Sequence, residues 1–255
     1  MQTPAGGGPG VLVVTGGSRG IGAATCVLAA QRGYRVAVNY LADAGSADDV
    51  VRQIVLAGGE AIAVQADVSE LGDVERMFAT VDHELGTVAA LVNNAGIVAR
   101  LARLDELDPG RIGRLMAVNV TGTLLCSREA VLRMSLRHNG SGGCIVNVSS
   151  AAARLGGSGE YVDYAASKGA VETLTVGLAR EVATDGVRVN AVRPGIIDTE
   201  IHASGGDSGR AERLGPSVPM GRAGTAGEVA EAIVWLLSDA ASYVTGAILD
   251  VAGGR

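Results

Sequence analysis

The sequence predicts the α/β class: one doubly wound parallel sheet of seven strands, flanked by helices. Three observations carry that reading. Short Val/Ile/Leu-rich runs alternate with longer stretches of helical period along 255 residues. The apolar runs are continuous, as in strands buried on both faces. Aromatic residues make up only 3% of a chain that is 47% hydrophobic, so small aliphatic side chains must fill the core, which suits helices packed closely on a sheet.

The elements follow in order. "GVLVVTG" (10–16) is the first strand, and the helix after it runs from about Gly20 to Gly33, where glycine can close it. "YRVAVNY" (34–40) is the second strand, and 46–59 the next helix with Ser46 as N-cap. "EAIAVQADV" (60–68) is the third strand, 71–86 a helix, and "TVAALVNNAG" (87–96) the fourth strand. A long helical region covers 108–138, and "GCIVNVSS" (143–150) is the fifth strand. The helix of about 161–184 leads to "VRVNAVRPG" (187–195). The Gly/Ser/charge-rich stretch 198–219 reads as an irregular loop or lid. An amphipathic helix (225–239) and "AILDVAGG" (247–254) complete the pattern. No linker interrupts residues 10–255, so they read as one domain behind a frayed tail of residues 1–9.

Composition excludes several function classes. A net charge of −6 without a basic block argues against nucleic acid. Cys26, Cys126 and Cys144 are far apart in apolar surroundings, the pattern of reduced thiols in a cytoplasmic protein, with no metal site. The start "MQTPAGGGPG" lacks the basic and apolar segments of a signal peptide. No uninterrupted apolar run approaches the ~20 residues of a bilayer span, so no membrane association is expected.

The turn "TGGSRGIG" (15–22) links the first strand to the first helix. Gly16, Gly20 and Gly22 permit a tight turn and close approach of backbone to a pyrophosphate at the helix N-terminus. Such a cluster can also be an ordinary turn, but after the first strand of an alternating chain it favours a dinucleotide and a Rossmann-type sheet. NAD sites usually carry an acid at the end of the second strand. Here that strand ends at Tyr40, and the first acid is Asp43. Arg19 in the turn can pair with a 2′-phosphate. The expectation is NADP(H), with NAD as the alternative.

"GEYVDYAASKGAV" (159–171) holds two tyrosines before Lys168. Tyr164 is one helical turn away and Tyr161 two. Asp163 as N-cap would leave Tyr161 outside the helix. An ammonium one turn away should lower the phenol's ordinary pKa of about 10, which makes Tyr164 the better acid. A lone Tyr-x-x-x-Lys means little. Ser149 and Ser150, however, end the fifth strand at the carboxyl edge where open α/β sheets bind ligands, and "NNAG" and "RPG" reach the same edge.

Taken together, "TGGSRGIG", "ADV", "NNAG", Asn119 in "MAVNV", "NVSS", "YAASK", "RPGIIDT" and "ASYVTGAILDVAGG" resemble the classical short-chain dehydrogenase/reductase family over residues 10–254. The resemblance implies carbonyl–alcohol interconversion by hydride transfer. By it Tyr164 is the general acid/base, Lys168 its partner and holder of the nicotinamide ribose, and Ser150 a hydrogen-bond donor to the substrate oxygen. Asn119 supports a water relay. The cofactor would be touched by Gly16, Ser18, Arg19, Gly20, Ile21 and Gly22 at the phosphates, and Tyr40 would stand at the adenosine ribose. Asp67 and Val68 would touch the adenine, and Asn93, Ala95 and Gly96 the ribose side. Pro194, Gly195, Ile197 and Thr199 would fix the nicotinamide end. The asparagines of "NNAG" can equally brace neighbouring strands. The family also implies a homotetramer. Ser150 and Tyr164 stand 14 apart, one more than is usual, which makes Ser149 a competitor. The substrate stays open between small carbonyls, sugars or polyols, and an acyl-carrier-protein thioester that Arg128, Arg133 and Arg137 could attract. A non-catalytic sensor or scaffold is the remaining alternative.

Overall fold

The computed structural model describes residues 9–200, 205–207 and 209–255. The expected tail therefore lies outside the described residues except for Pro9, as do residues 201–204 and 208 of the expected lid. The strands are β1 (Val11–Val14), β2 (Arg35–Tyr40), β3 (Ala61–Gln65), β4 (Val88–Asn93), β5 (Gly143–Val148) and β6 (Val187–Pro194). A short pair, β7 (Ile197–Asp198) and β8 (Gly224–Thr225), precedes the last strand, β9 (Ile248–Val251). Seven of them form one parallel sheet in the order β3-β2-β1-β4-β5-β6-β9. The order reverses direction between β1 and β4, the switch point where a ligand crevice opens at the carboxyl ends.

The helices are α1 (Gly20–Gln31), α2 (Ala44–Leu56), α3 (Leu71–Glu84), α4 (Pro109–Met116), α5 (Gly122–Met134), α6 (Ala152–Leu155), α7 (Val162–Val182), α8 (Arg210–Leu214) and α9 (Ala226–Leu237). They divide the core into two layers. On one face Cys26, Ile54, Ile233 and Leu236 pack against Leu12, Val36 and Val146. On the other Met77, Phe78, Cys126 and Met134 pack against Val13, Leu91 and Ile145. Side chains alternating along each strand feed both layers, which is why the strand sequences are continuously apolar.

Four local expectations are corrected. The N-cap of α2 is Asp43, whose carboxylate accepts from the Ser46 N–H at 3.0 Å and the Ser46 hydroxyl at 2.7 Å. Three extra residues join the helix because an aspartate can cap as well as a serine. The N-cap of α7 is Tyr161, so it does lie outside the helix. Asp163, however, is inside the first turn, where its buried carboxylate holds Arg111 of α4 at 2.9 and 3.2 Å. The region 108–138 bends through a π-helical segment, Ala117–Thr121, between α4 and α5. By length and composition the run Pro109–Met134 could cross a bilayer, yet half of it is buried within the fold. Finally, the described part of 198–219 contains regular structure, α8 and the 3-10 turn Gly215–Ser217. The three cysteines are buried and unpaired, and burial raises the pKa of each thiol. Thiolates are thereby disfavoured.

Candidate active site

One cleft runs along the carboxyl edge of the sheet, and residues from several regions line it. Among them are Ile21 from α1, Asn94 and Gly96 after β4, Val148–Ser150 at the end of β5, Tyr161, Tyr164 and Lys168 at and within the start of α7, Pro194–Ile197 and Thr199 at the end of β6 and after it, and Asp207 and Arg210 at the start of α8. Sheet topology brings these together, since every parallel strand delivers its following loop to the same side.

The phosphate end begins with the glycine turn. Gly16 sits at φ +60°, and a Cβ there would come 3.0 Å from Ala95 Cα. At Gly22 it would come 2.3 Å from the Gly16 carbonyl oxygen. These glycines therefore permit a close backbone approach that no other residue allows. No side chain caps the start of α1, and its first turn carries no acid. An uncapped helix N-terminus behind a glycine cradle fits a dinucleotide pyrophosphate. The turn is braced from β2 and β4: Asn39 Oδ1 accepts from the Gly16 N–H at 3.1 Å, and Asn94 Nδ2 donates to the Thr15 and Gly16 carbonyls at 2.9 and 2.8 Å.

Arg19 is exposed and pairs with Glu200 at 3.0 Å. Tyr40 ends β2 half-buried. Asp43 is occupied as a helix cap, and the Ser46 N–H above all holds its carboxyl below the usual carboxylate range. Asp67 pairs with Arg114 at 2.9 Å and accepts from the Ser69 hydroxyl at 2.6 Å. Val68 is buried against Gly122, where a Cβ would come within 2.7 Å of it. Asn93 points into the core, its amide on Ser127 (3.0 Å) and on Asn147 Oδ1 (2.9 Å). Its neighbour Asn94 lines the cleft instead. Ala95 donates its N–H to Thr15 Oγ1 at 3.0 Å.

At the other end, Lys168 Nζ donates to the Val148 carbonyl at 2.8 Å and lies 5.7 Å from the Tyr164 ring centre. Burial pushes the Lys168 ammonium down to about 8. Burial also pushes the Tyr164 phenol up to about 12, with the Ser150 hydroxyl pulling the other way. The sequence predicted a lowered phenol. Both groups are desolvated in one corner, however, so each leans to its neutral form. The two serines are placed differently. Ser149 is buried and donates to Glu172 Oε1 at 2.7 Å, while Ser150 lies beside Tyr164 and accepts from the Ala152 N–H at 3.1 Å.

Asn119 sits in the π-helical segment, fully buried. Its Oδ1 accepts from the Ile97 N–H at 2.8 Å, and Nδ2 donates to the Ile97 carbonyl at 3.0 Å and the Ser167 hydroxyl at 3.1 Å. A Cβ on Gly96 would meet Lys168 Nζ at 3.3 Å and Asn119 Oδ1 at 3.4 Å, so these groups converge on the bare side of that glycine. Gly195 lies against Ala252, where a Cβ would come within 2.8 Å, and Thr199 stands 3.5 Å from the Cβ position of Gly20. Ile197, in β7, lines the cleft with Pro194.

Arg111, Arg210 and Glu172 escaped sequence reading. They act across gaps of 52, 50 and 23 residues, on Asp163, Glu160 and Ser149 respectively. No local spacing signals such contacts. Among the described residues no group of three or more His, Cys, Asp or Glu could hold a metal ion.

Comparison with known proteins bears on the family and the fold. Residues 16–255 match the sequence family described as enoyl-(acyl carrier protein) reductase. The uncharacterized oxidoreductase YgfF of Escherichia coli (strain K12) is 58% identical over 96% of this chain and 99% of its own. The cis-4-hydroxycyclohexanecarboxylate dehydrogenase of Sinomonas cyclohexanicum is 42% identical over 96% of this chain and 95% of its own. A solved short-chain dehydrogenase/reductase variant of Serratia marcescens superposes with a TM-score of 0.88 at 34% identity, covering 99% of each chain. The chain belongs to the short-chain dehydrogenase/reductase family, as an oxidoreductase built on a Rossmann-like parallel sheet.

Proposed function

We propose that this oxidoreductase interconverts a carbonyl and a secondary alcohol with NADP(H) in preference to NAD(H). The observation that carries the reading is the meeting of Tyr164, Lys168 and Ser150 in one cleft that Ile21, from the uncapped start of α1 in the glycine turn, also lines. When bound, the nicotinamide cofactor supplies or accepts the hydride. The chain's own groups orient the substrate and move the proton. Tyr164 donates the phenolic proton to the carbonyl oxygen during reduction, and Ser150 hydrogen-bonds that oxygen. Lys168 holds the nicotinamide ribose and offsets the phenolate charge, while Asn119 fixes the Gly96–Ile97 backbone beneath the site and supports a water relay.

Two features favour the phosphorylated cofactor. No acid is free at the end of β2, since Asp43 is engaged by Ser46. Among the described residues the ion pair of Arg19 is the exposed one with Glu200, worth about 0–1 kcal/mol, which a phosphate can displace. A small-molecule substrate is favoured over an acyl-carrier-protein thioester. Arg133 is committed to Asp82 (2.7 Å), Glu129 (2.8 Å) and the Phe78 ring, and Arg128 to Glu129. The 42%-identical relative is itself named for a cyclic secondary alcohol. A homotetramer is proposed as well, because α7 carries open space at Gly169 and Gly177 where another helix could pack.

Titration with NADPH and NADH, followed by ketone reduction with Tyr164→Phe alongside, tests the reading. NADPH is expected to bind more tightly, and the variant to keep cofactor binding while kcat falls roughly 10²–10⁴-fold. Full activity in the variant would remove Tyr164 from the chemistry.

A further inference from the structure

The rim of the cleft holds one unexplained group. Arg210 opens α8 and is 5% exposed, yet it lines the cleft. Its Nη2 donates to Glu160 Oε2 at 2.6 Å and to the Tyr161 hydroxyl at 2.9 Å. The guanidinium stands 5.3 Å from the Tyr161 ring centre, and that ring meets Tyr164 edge-on at 5.7 Å. Arg210 is thus one ring removed from the proton donor. Its Nη1, however, is buried and has no hydrogen-bond partner. Asp207, which also lines the cleft, has its Oδ2 3.9 Å from Nη1. That gap is too long for a direct hydrogen bond. Folded proteins rarely leave a buried donor unsatisfied, and an orphan of this kind calls for an explanation.

Charge indicates what would satisfy it. Arg210 and Arg213 face Glu160 and Asp207, with Arg213 on Asp207 at 2.5 Å, so two cations already balance two anions. An added carboxylate would be a third anion beside two others, whereas a hydroxyl brings no charge and is both acceptor and donor. We propose that Arg210 Nη1 and Asp207 form a substrate subsite for a neutral hydroxyl group, which accepts from Nη1 and donates to the Asp207 carboxylate. The substrate is then a carbonyl or alcohol compound carrying a second hydroxyl away from the reacting carbon. This rests on the carbonyl–alcohol reading above.

The test is a panel of cyclohexanones bearing methyl, hydroxyl or carboxylate at ring position 3 or 4, each reduced with the cofactor that binds. The wild type is expected to prefer a hydroxyl over its methyl counterpart by roughly 10- to 100-fold in kcat/KM, the scale of one or two buried hydrogen bonds. In Arg210→Met and in Asp207→Asn the preference should collapse toward one. Because it is a ratio within each variant, general loss of activity cancels, and the isosteric Asp207→Asn serves if Arg210→Met fails to fold. A hydroxyl-to-methyl ratio near one in the wild type, or an unchanged ratio in the variants, overturns the subsite. Preference for the carboxylate also overturns it. Reduction of none of the ketones would instead fell the carbonyl–alcohol reading on which the subsite depends.

Discussion

Asn119 and Arg210 are both buried polar residues at the same cleft, and they are treated differently. Asn119 uses both ends of its amide on the Ile97 backbone and on Ser167. Arg210 leaves Nη1 empty. The floor of the cleft, with Asn119, Lys168 and the glycine turn, is made of groups satisfied by neighbouring backbone. The rim, with Arg210, Asp207, Arg19 and Glu200, is made of side-chain pairs on loop segments. The contrast teaches that the floor is preorganised, so altering it costs function, whereas the rim can exchange partners with a ligand.

The sharpest way to break the floor is Gly22→Ala. Its Cβ would come 2.3 Å from the Gly16 carbonyl oxygen and 2.5 Å from Asn94 Nδ2, both held in place. A loss of about 3 kcal/mol in stability is expected, together with loss of dinucleotide binding. Chemical denaturation and a cofactor titration would check both, and a wild-type-like Gly22→Ala would show that the turn is softer than the rest of the floor.

Lys168→Met separates function from stability at the same floor. The buried ammonium has its pKa lowered from 10.5 to about 8, so the folded state binds fewer protons than the unfolded state between those values. The native protein should therefore gain stability as pH rises from about 8 to 10.5, while the full cost of burying the charge is present below about 8. The variant removes that cost. Its ligand-free form is expected to be more stable than wild type by about 1–3 kcal/mol at pH 7, after loss of the Val148 hydrogen bond is counted. The gap should shrink toward pH 10, while activity falls about 100-fold. Thermal unfolding at the two pH values tests the sign.

At the rim the smallest effect belongs to Arg19→Ala. Loss of the exposed pair with Glu200 should leave stability within about 0.5 kcal/mol of wild type. Affinity for NADPH should drop roughly fivefold, with NADH nearly unchanged. An equal loss for both cofactors would place Arg19 at the shared pyrophosphate instead of the 2′-phosphate.

Legibility in the sequence follows the same division. Val/Ile/Leu runs such as "VLVV" and "CIVNV" became β1 and β5 because a strand buried on both faces needs apolar side chains at every position. The glycine turn was legible because φ +60° and +54° at Gly16 and Gly20 suit no ordinary side chain. Tyr164 and Lys168 were legible as a one-turn pair on a single helix. Helix ends were less so: Asp43 and Ser46 are both good caps, and only the observed Asp43–Ser46 bond decides between them.

By itself, the sequence determined the alternation of strands and helices, the parallel sheet and the residues able to share its carboxyl edge, because these depend on local periodicity and on backbone torsions that only glycine tolerates; the strand order came from tertiary pairing. Tertiary structure alone decided that Asn93 braces β5 while Asn94 meets the cleft, that Ser149 is tied to Glu172, and that Arg210 stands buried beside Tyr161. It also decided that burial raises the Tyr164 phenol instead of lowering it. Those outcomes depend on burial and on partners tens of residues away, where desolvation and packing outweigh any preference written in adjacent positions.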